Sequence, residues 1–191
     1  MKWDALEEET CSIARTVAVI GDRWSLMILR ECFMRIRRFE AFQSSLGITR
    51  HLLAERLKKL VRFGVLRRVP YQDSPKRYEY ILTQKGLDLY PVIMSIVHWG
   101  DIHMVDARGR PMLYEHKSCA MMFDPVLVCS ECNKPLLAKE VHVHPGPGAD
   151  QKLHASTNRH AQVHADPAPE QRLRPSSKTN KTAKGRTRRV A

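Results

Sequence analysis

The chain has 191 residues, of which 43% are hydrophobic, and a formal net charge of +12. This length accommodates one ordinary domain with appendages, and the basic balance favours a polyanionic partner, either nucleic acid or an anionic membrane surface. No apolar run approaches the ~18–20 residues of a membrane-spanning helix, and the polar, acidic start is unlike a signal peptide. The sequence therefore predicts a cytoplasmic protein with no membrane partner.

The positive charge is concentrated in two segments, each with a net charge of +7. Residues 49–78 contain nine Lys and Arg against two acidic residues, and residues 146–191 contain ten against three. The second segment has almost no large apolar side chains, so it cannot bury enough surface to offset its ordering entropy. We expect residues 146–191 to be a disordered basic tail, either a solvated end or a nonspecific phosphate-binding arm.

The first half of the chain has the apolar periodicity of helices. Between residues 12 and 34 apolar side chains recur at three- and four-residue intervals, and Gly21-Asp22 divides this run into two helices. A basic connection and a short helical segment that ends at Gly47 come next. Thr49 is then the candidate N-cap of a longer helix that continues to Phe63.

This longer helix has one apolar and one basic face, which become visible when its residues are placed about 100° apart. The apolar sector contains Leu53, Leu57, Leu60 and Val61, and the opposite sector contains His51, Glu55, Lys58, Lys59 and Arg62. The pattern predicts a helix that packs on the domain through one face and presents donors on the other.

Two short segments rich in β-branched and aromatic residues, 65–69 and 78–82, then predict a hairpin with a basic tip. Thr83 is predicted to cap a further helix, and Pro91 to begin another, because proline is costly inside a helix. Helix, short helix, basic amphipathic helix and basic hairpin follow the order of a winged helix-turn-helix. The predicted fold class is mainly α with a small β-hairpin wing (α+β).

The basic helix is of a size to enter a DNA major groove about 12 Å wide. Arg50, near its N-terminal end, is expected to pair with a guanine edge, and Glu55 either to accept from a cytosine amine or to orient an arginine. The residues further along the helix and at the hairpin tip suit phosphates. The predicted DNA-binding residues are Thr49, Arg50, His51, Glu55, Lys58, Lys59, Arg62, Arg68, Lys76 and Arg77. Taken alone, the basic side of such a helix could equally be a solvated surface. The turn before the helix and the basic hairpin after it favour DNA recognition.

Three segments carry a family resemblance: CSIARTVAVIGDRWSLMILREC, RRFEAFQSSLGITRHLLAERLKKLVRFGVLRR and RYEYILTQKGLDLYPVIMSIVHW. The stretch from Cys11 to Trp99 resembles the HxlR family of winged helix regulators, relatives of the MarR-type repressors. The resemblance implies a homodimeric transcriptional repressor, joined through its terminal helices, on a pseudo-palindromic operator in double-stranded DNA. The candidate dimer stripe is Val92, Ile93, Ile96 and Val97; an intramolecular core helix is the alternative.

Cys11 is a candidate redox sensor, since some regulators of this kind sense electrophiles or oxidants through an N-terminal cysteine. Here Ser12 follows it, whereas family members often have Cys-Pro. Sensing needs an exposed thiolate of low pKa; the acidic residues 7–9 would raise that pKa, while a helix N-terminus would lower it. A sensor and a structural thiol both remain open, as does an unidentified small-molecule or oxidant effector. Cys32, on an apolar helix face, is predicted to be buried.

The region after residue 105 extends beyond the minimal family domain and contains a Cys/His cluster. His116 and Cys119 form an H-x2-C pair, and Cys129 and Cys132 form a C-x2-C pair, with nine residues between the two pairs. Structural Zn²⁺ takes four N or S ligands, commonly as two close pairs. The pattern predicts a zinc ribbon with Zn²⁺ as structural cofactor; unligated thiols on a loosely packed extension are the alternative.

Further features of this region agree with a ribbon. Residues 126–128 are predicted to form a strand before the second pair, and Asn133 can adopt the left-handed turn that a knuckle requires. His142 or His144 could replace His116 as a ligand. Four filled positions would leave no open site on the metal, so catalysis there is not expected.

The sequence thus predicts three regions: a winged helix-turn-helix domain for DNA binding and dimerisation (1–105), a connector with a zinc-ribbon-like extension (106–145) and the tail (146–191). The leading function is a sequence-specific transcriptional regulator and not an enzyme, since no nucleotide-binding glycine loop, Gly-x-Ser-x-Gly or His-Glu-x-x-His motif is present. The alternatives are a nonspecific nucleic-acid-binding or architectural protein, a thiol-based redox regulator and an enzyme with a catalytic metal.

Overall fold

The computed structural model describes residues 6–149. The predicted tail lies outside these residues from position 150 onwards. The helices and strands of this part of the chain are α1 (Ser12–Ile20), α2 (Arg23–Phe33), α3 (Phe39–Leu46), α4 (Arg50–Arg62), β1 (Leu66–Asp73), β2 (Lys76–Leu82), α5 (Gln84–Leu87), α6 (Tyr90–His103), β3 (Glu115–His116) and β4 (Met121–Met122), with a 3₁₀ turn at Ala138–Glu140. The mainly helical fold with a small antiparallel hairpin is confirmed.

Local capping chemistry places the helix ends close to where they were predicted. Asp22 caps α2 by accepting a hydrogen bond of 2.9 Å from the Ser25 amide. Gly47 ends α3 in the left-handed conformation, with φ 61°, which glycine adopts without a steric penalty. Thr49 stands at the N-cap position of α4 as predicted, but its side chain makes no capping hydrogen bond. Thr83 does cap α5, because its hydroxyl accepts from the Gly86 amide.

The hydrophobic core lies between α2, α3, α4 and the start of the wing. The apolar face predicted for α4 is confirmed, because Leu53, Leu57 and Leu60 are all fully buried. Each such side chain contributes roughly 1.5–3 kcal/mol of transfer free energy. Cys32 is also buried, as predicted, and burial raises the pKa of its thiol to about 12. Helix α4 is therefore firmly packed on one side and open on the other.

The wing is an antiparallel ribbon whose strands are longer than predicted. The register runs from Leu66 opposite Leu82 to Asp73 opposite Lys76, so most of the segment 70–77, expected as a loop, is strand. Pro70 is tolerated because each strand of a two-stranded ribbon has one unpaired edge. The ribbon is joined to the segment between α2 and α3, since the Tyr80 amide donates to the Arg37 carbonyl at 2.8 Å.

Helix α6 takes part in the core, which is one of the two roles left open for it. Ile93 is only 8% exposed and belongs to the core, and Val97 packs against that core. At these two positions the structure therefore agrees with the alternative of an intramolecular core helix, and not with the candidate dimer stripe. Val92 and Ile96 remain exposed, together with Trp99. The sequence could not decide which side of α6 faces the core, because the helix is apolar on most of its circumference.

The extension consists of two small hairpins. Strands β3 and β4 pair in the first, and Val128 forms an isolated bridge with Pro135 in the second. The strand predicted over residues 126–128 is thus reduced to a single bridging residue. Almost all side chains of the extension are exposed. Among the described residues, no helix is both long and apolar enough to span a membrane.

Candidate nucleic-acid interface

The position of α4 is fixed by one carboxylate in addition to the hydrophobic core. Asp22 lies 3.1 Å from Arg56 Nε through Oδ1 and 3.3 Å from Lys59 Nζ through Oδ2. The same carboxylate accepts hydrogen bonds from the amide and hydroxyl of Ser25 at the start of α2. A single acidic side chain therefore joins the N-terminus of α2 to the middle of α4.

The charge state of Asp22 follows from these contacts. Burial by itself would raise the pKa of this carboxyl, but the hydrogen bonds from Ser25 and the charges of Arg56 and Lys59 more than compensate. The net pKa of Asp22 is lower than its usual value of 3.8. The carboxylate is therefore ionised, and the pairing present, throughout the neutral pH range.

The N-terminal half of α4 presents its polar side chains to solvent. Thr49, Arg50 and His51 are all exposed. The Arg50 guanidinium lies over the ring of Phe39, 5.0 Å from its centroid, so α3 supports it from one side. Glu55 is 3.5 Å from the His51 imidazole one turn earlier. These predicted base-contacting residues lie together on one open surface.

The C-terminal half of α4 is more engaged with the protein itself. Lys58 is exposed, but the Lys59 side chain is only 23% exposed because it extends to Asp22. Arg62 pairs with Glu7 at 2.9 Å. The predicted phosphate contacts of this half are therefore of two kinds: Lys58 is free of any ion pair in the described region, whereas the other two have intramolecular partners.

The wing carries its basic side chains on a set of aromatic rings. Arg68 lies 3.9 Å from the centroid of Tyr78, and Lys76 lies 5.9 Å from the same ring on the neighbouring part of the hairpin. Arg77 is exposed near the tip. Arg38 covers the ring of Tyr71 at 4.5 Å. Stacking of this kind orders long basic side chains while leaving their donors available.

Two residues that position the interface were missed by the sequence reasoning. Asp22 was interpreted only as part of a break between helices, although Asp-x-x-Ser is a recognisable capping pattern. Glu31 is 2% exposed, pairs with Arg30 and accepts from the Ser45 hydroxyl at 2.8 Å. It joins α2 to α3, and nothing in the apolar periodicity indicates this contact.

The cysteines predicted as a redox sensor and as metal ligands stand before α1 and in the extension. Cys11 is half-buried at the N-cap of α1. In the extension His116 Nδ1 is 3.4 Å from Cys119 Sγ. Hydrogen bonds from the Cys132 and Glu131 amides lower the pKa of Cys129. Within residues 6–149, however, no three His, Cys, Asp or Glu side chains lie close enough together to hold one metal ion.

Comparison with known proteins places these features in a family. The model of the HxlR-like helix-turn-helix family matches residues 19–107. The HTH-type transcriptional regulator Rv3095 of Mycobacterium tuberculosis, itself uncharacterised, is 41% identical over 145 residues, or 76% of this chain and 92% of the relative. The uncharacterised regulator YdeP of Bacillus subtilis is 34% identical over 94 residues, or 49% of this chain and 73% of the relative.

Solved structures give the same result and extend it beyond the family region. The crystal structure of PA1607, described as a candidate transcription factor, superimposes with a TM-score of 0.67 at 31% identity and covers 74% of this chain and 99% of its own. PA1374 from Pseudomonas aeruginosa, described likewise, gives a TM-score of 0.54 at 31% identity and covers 76% and 99%. Both matches span more of the chain than the family model does.

Proposed function

This chain belongs to the HxlR-like helix-turn-helix family of DNA-binding transcriptional regulators, and from that premise we propose a homodimeric repressor of a pseudo-palindromic operator. The observation that carries the proposal is the construction of α4. Its apolar face is fully buried in the core, while its N-terminal polar residues stand open to solvent beside a basic wing. A helix fixed on one side and polar on the other is what entry into a major groove requires.

The contacts divide into base recognition and backbone positioning. We assign base contacts to Thr49, Arg50 and His51, with Arg50 directed at a guanine edge and held in orientation by Phe39. Glu55, beside His51, either accepts from a cytosine amine or orients a basic neighbour. These assignments follow from exposure and from the position of the residues at the N-terminal end of α4.

Backbone contacts fall to basic residues on either side of this group. Lys58 and Arg62 suit phosphates along α4, and the Arg62 pair with Glu7 is exposed enough to exchange for a phosphate. Lys59 has a larger part in holding the helix, through Asp22. On the wing, Arg68, Lys76 and Arg77 suit the flanking backbone or the adjacent minor groove.

Dimerisation is proposed through the exposed apolar side chains of α6. Val92, Ile96 and Trp99 are 40%, 49% and 59% exposed. With four-residue and three-residue spacings they share one side of the helix, and burying such a surface against a second copy is strongly favourable. A two-fold dimer would present two α4 helices to half-sites about one helical turn apart, which is the reason to expect dyad symmetry in the operator.

DNase footprinting on the region upstream of the protein's own gene tests this function at about 0.15 M salt. The proposal predicts one protected, dyad-symmetric site. In a gel-shift experiment at the same salt concentration, an unrelated duplex of the same length should be retarded less than the operator. Equal retardation of every duplex would instead favour a nonspecific architectural protein and contradict an operator-binding regulator. A scrambled site of identical base composition is the matched control, because it preserves the electrostatic contribution to affinity.

A further inference from the structure

The two Cys/His pairs of the extension share one backbone conformation. In the first, the Ala120 amide donates to the His116 carbonyl at 2.8 Å, and Ala120 has φ 54°. In the second, the Asn133 amide donates to the Cys129 carbonyl at 2.9 Å, and Asn133 has φ 57°. The left-handed conformation is uncommon for Ala. Its recurrence directly after each pair makes these two turns equivalent knuckles.

Each knuckle stands at the tip of a hairpin. The first hairpin closes through β3 and β4, with the Phe123 amide donating to Tyr114 at 3.0 Å. The second closes through hydrogen bonds of 2.9 Å from the Leu136 amide to Leu127 and from the Cys129 amide to Lys134. Two hairpins with ligand-bearing tips are the parts from which a zinc ribbon is assembled.

The side-chain geometry within the first pair already suits a shared ion. His116 Nδ1 and Cys119 Sγ are 3.4 Å apart. Tetrahedral zinc with bonds of about 2.0–2.1 Å to nitrogen and 2.3 Å to sulfur holds such a pair of atoms about 3.5 Å apart.

The described part of the extension also buries little apolar surface. Leu127 is 70% exposed and Val126 is 64% exposed, and nearly every residue from 115 to 148 is exposed. About 30 residues with so little buried apolar surface need a cross-link, a metal or a partner to stay folded. Four soft and borderline ligands in two matched turns make the metal the simplest of these.

We propose that the extension binds one Zn²⁺ per chain through His116, Cys119, Cys129 and Cys132. The two pairs are separate in the structure as it stands, so binding must bring the hairpin tips together. The lengths of the strands allow this movement. Residues 121–123 lead from the first knuckle to Asp124–Pro125, and residues 126–128 lead from there to the second knuckle. A reversal at Asp124–Pro125 would place both tips at the same end. The three thiols each release a proton to solvent when they bind.

Metal content of the full-length protein, purified without chelator, is the direct test. We expect about one zinc per chain, and Co²⁺ exchanged into the metal-free protein should give the visible d–d bands and the thiolate charge-transfer band of a tetrahedral site with three sulfur ligands. Zinc below about one-tenth of an equivalent, or cobalt spectra of octahedral type, would overturn the proposal. Half an equivalent would assign the metal to a site between two chains and would equally overturn it.

Single substitutions identify the ligands. Cys119→Ser and Cys129→Ser should each lower zinc content at least about fivefold, whereas Cys11→Ser, in the helical domain, should leave it unchanged. Thiol titration adds a readout that does not need the variants to fold: a chelator should make three further thiols reactive in the native protein. Retention of zinc in both ligand variants, or no change in reactive thiols with chelator, would contradict the assignment.

Discussion

The Asp22 carboxylate lies 3.1 Å from Arg56 Nε, and through this contact the N-terminus of α2 meets the middle of α4. Both side chains are mostly shielded, at 25% and 30% exposed. The pair and the neighbouring Lys59 contact restrain rotation of α4 about its own axis, which the apolar side chains alone would resist less specifically. Orientation of the polar face of α4 thus depends on a residue outside it.

Replacing this carboxylate tests the contact. Asp22→Asn preserves the side-chain shape and its capping ability but removes the charge, so we expect a loss of about 0.5–1 kcal/mol in the free energy of unfolding at pH 7. The pKa of Asp22 is lowered in the folded protein, so its contribution is present above the unfolded pKa and disappears as pH falls through the folded value. The difference between variant and wild type should therefore shrink below about pH 4.

Chemical denaturation of both proteins at pH 7 and pH 3, at equal protein concentration, measures this. Ser25→Ala is a useful companion, because it removes the hydroxyl that donates to Asp22 and leaves the pairs with α4 intact. A stability difference for Asp22→Asn that is the same at both pH values would show that the charge of Asp22 does not stabilise the fold.

The close approach of α5 to the wing gives a second prediction. A Cβ on Gly86 would lie 2.3 Å from the Val65 carbonyl oxygen and 2.9 Å from a Leu82 methyl carbon. Helix propensity alone would make Gly86→Ala stabilising by about 1 kcal/mol. The backbone clash reverses the sign, and we expect Gly86→Ala to destabilise the domain by about 1–3 kcal/mol.

Thermal unfolding followed by circular dichroism distinguishes the two signs. Gly148→Ala is the matched control, because nothing lies within 4 Å of the position a Cβ would take there, and its midpoint should stay within about 1–2 °C of wild type. A Gly86→Ala midpoint equal to or above that of the wild type would mean that Val65 and α5 do not approach so closely.

These features mark what the sequence could and could not predict. Helix ends at Gly47 and Pro91 were predictable because they depend on the conformational preferences of single residues. The buried face of α4 was predictable because its apolar residues occupy one sector only. Helix α6 is apolar on most sides, so periodicity could not decide between core and partner surface, and only the structure shows that Ile93 lies in the core.

The periodicity of apolar residues could not predict contacts between polar residues that are distant in the sequence. Asp22 and Arg56 are 34 positions apart, and nothing local to either indicates the other. The length of the wing strands was underestimated because Pro70 argues against a strand unless its unpaired edge is known. In the extension, spacing predicted the two pairs and the left-handed Asn133, but spacing carries no information on the distance between the pairs.

The exposed side of α6 gives a third prediction. Ile96→Glu places a charge in the proposed dimer surface without disturbing the core, since Ile96 is 49% exposed. We expect it to weaken self-association at least about tenfold and to reduce operator affinity in parallel, because each half-site would then be bound independently. Sedimentation over a concentration series measures the association.

Leu87→Glu is the control for this substitution. Leu87 lies on α5 with a similar exposure of 47%, so the variant introduces the same charge at a comparably open apolar position. It should remain dimeric. Loss of association in both variants, or in neither, would exclude α6 as the specific dimer surface.

The central claim is that the N-terminal end of α4 recognises bases while the wing contacts the DNA backbone. Base preference, measured by selection from a randomised duplex library, tests this claim most directly. Arg50→Ala should relax the preference at one position of each half-site, worth about 1–3 kcal/mol of discrimination. Lys76→Ala should keep the wild-type preference, weaken binding to all sequences and reduce the salt dependence by about one phosphate contact. Equal changes in preference for both variants, or an unchanged preference for Arg50→Ala, would contradict base recognition through the N-terminal end of α4.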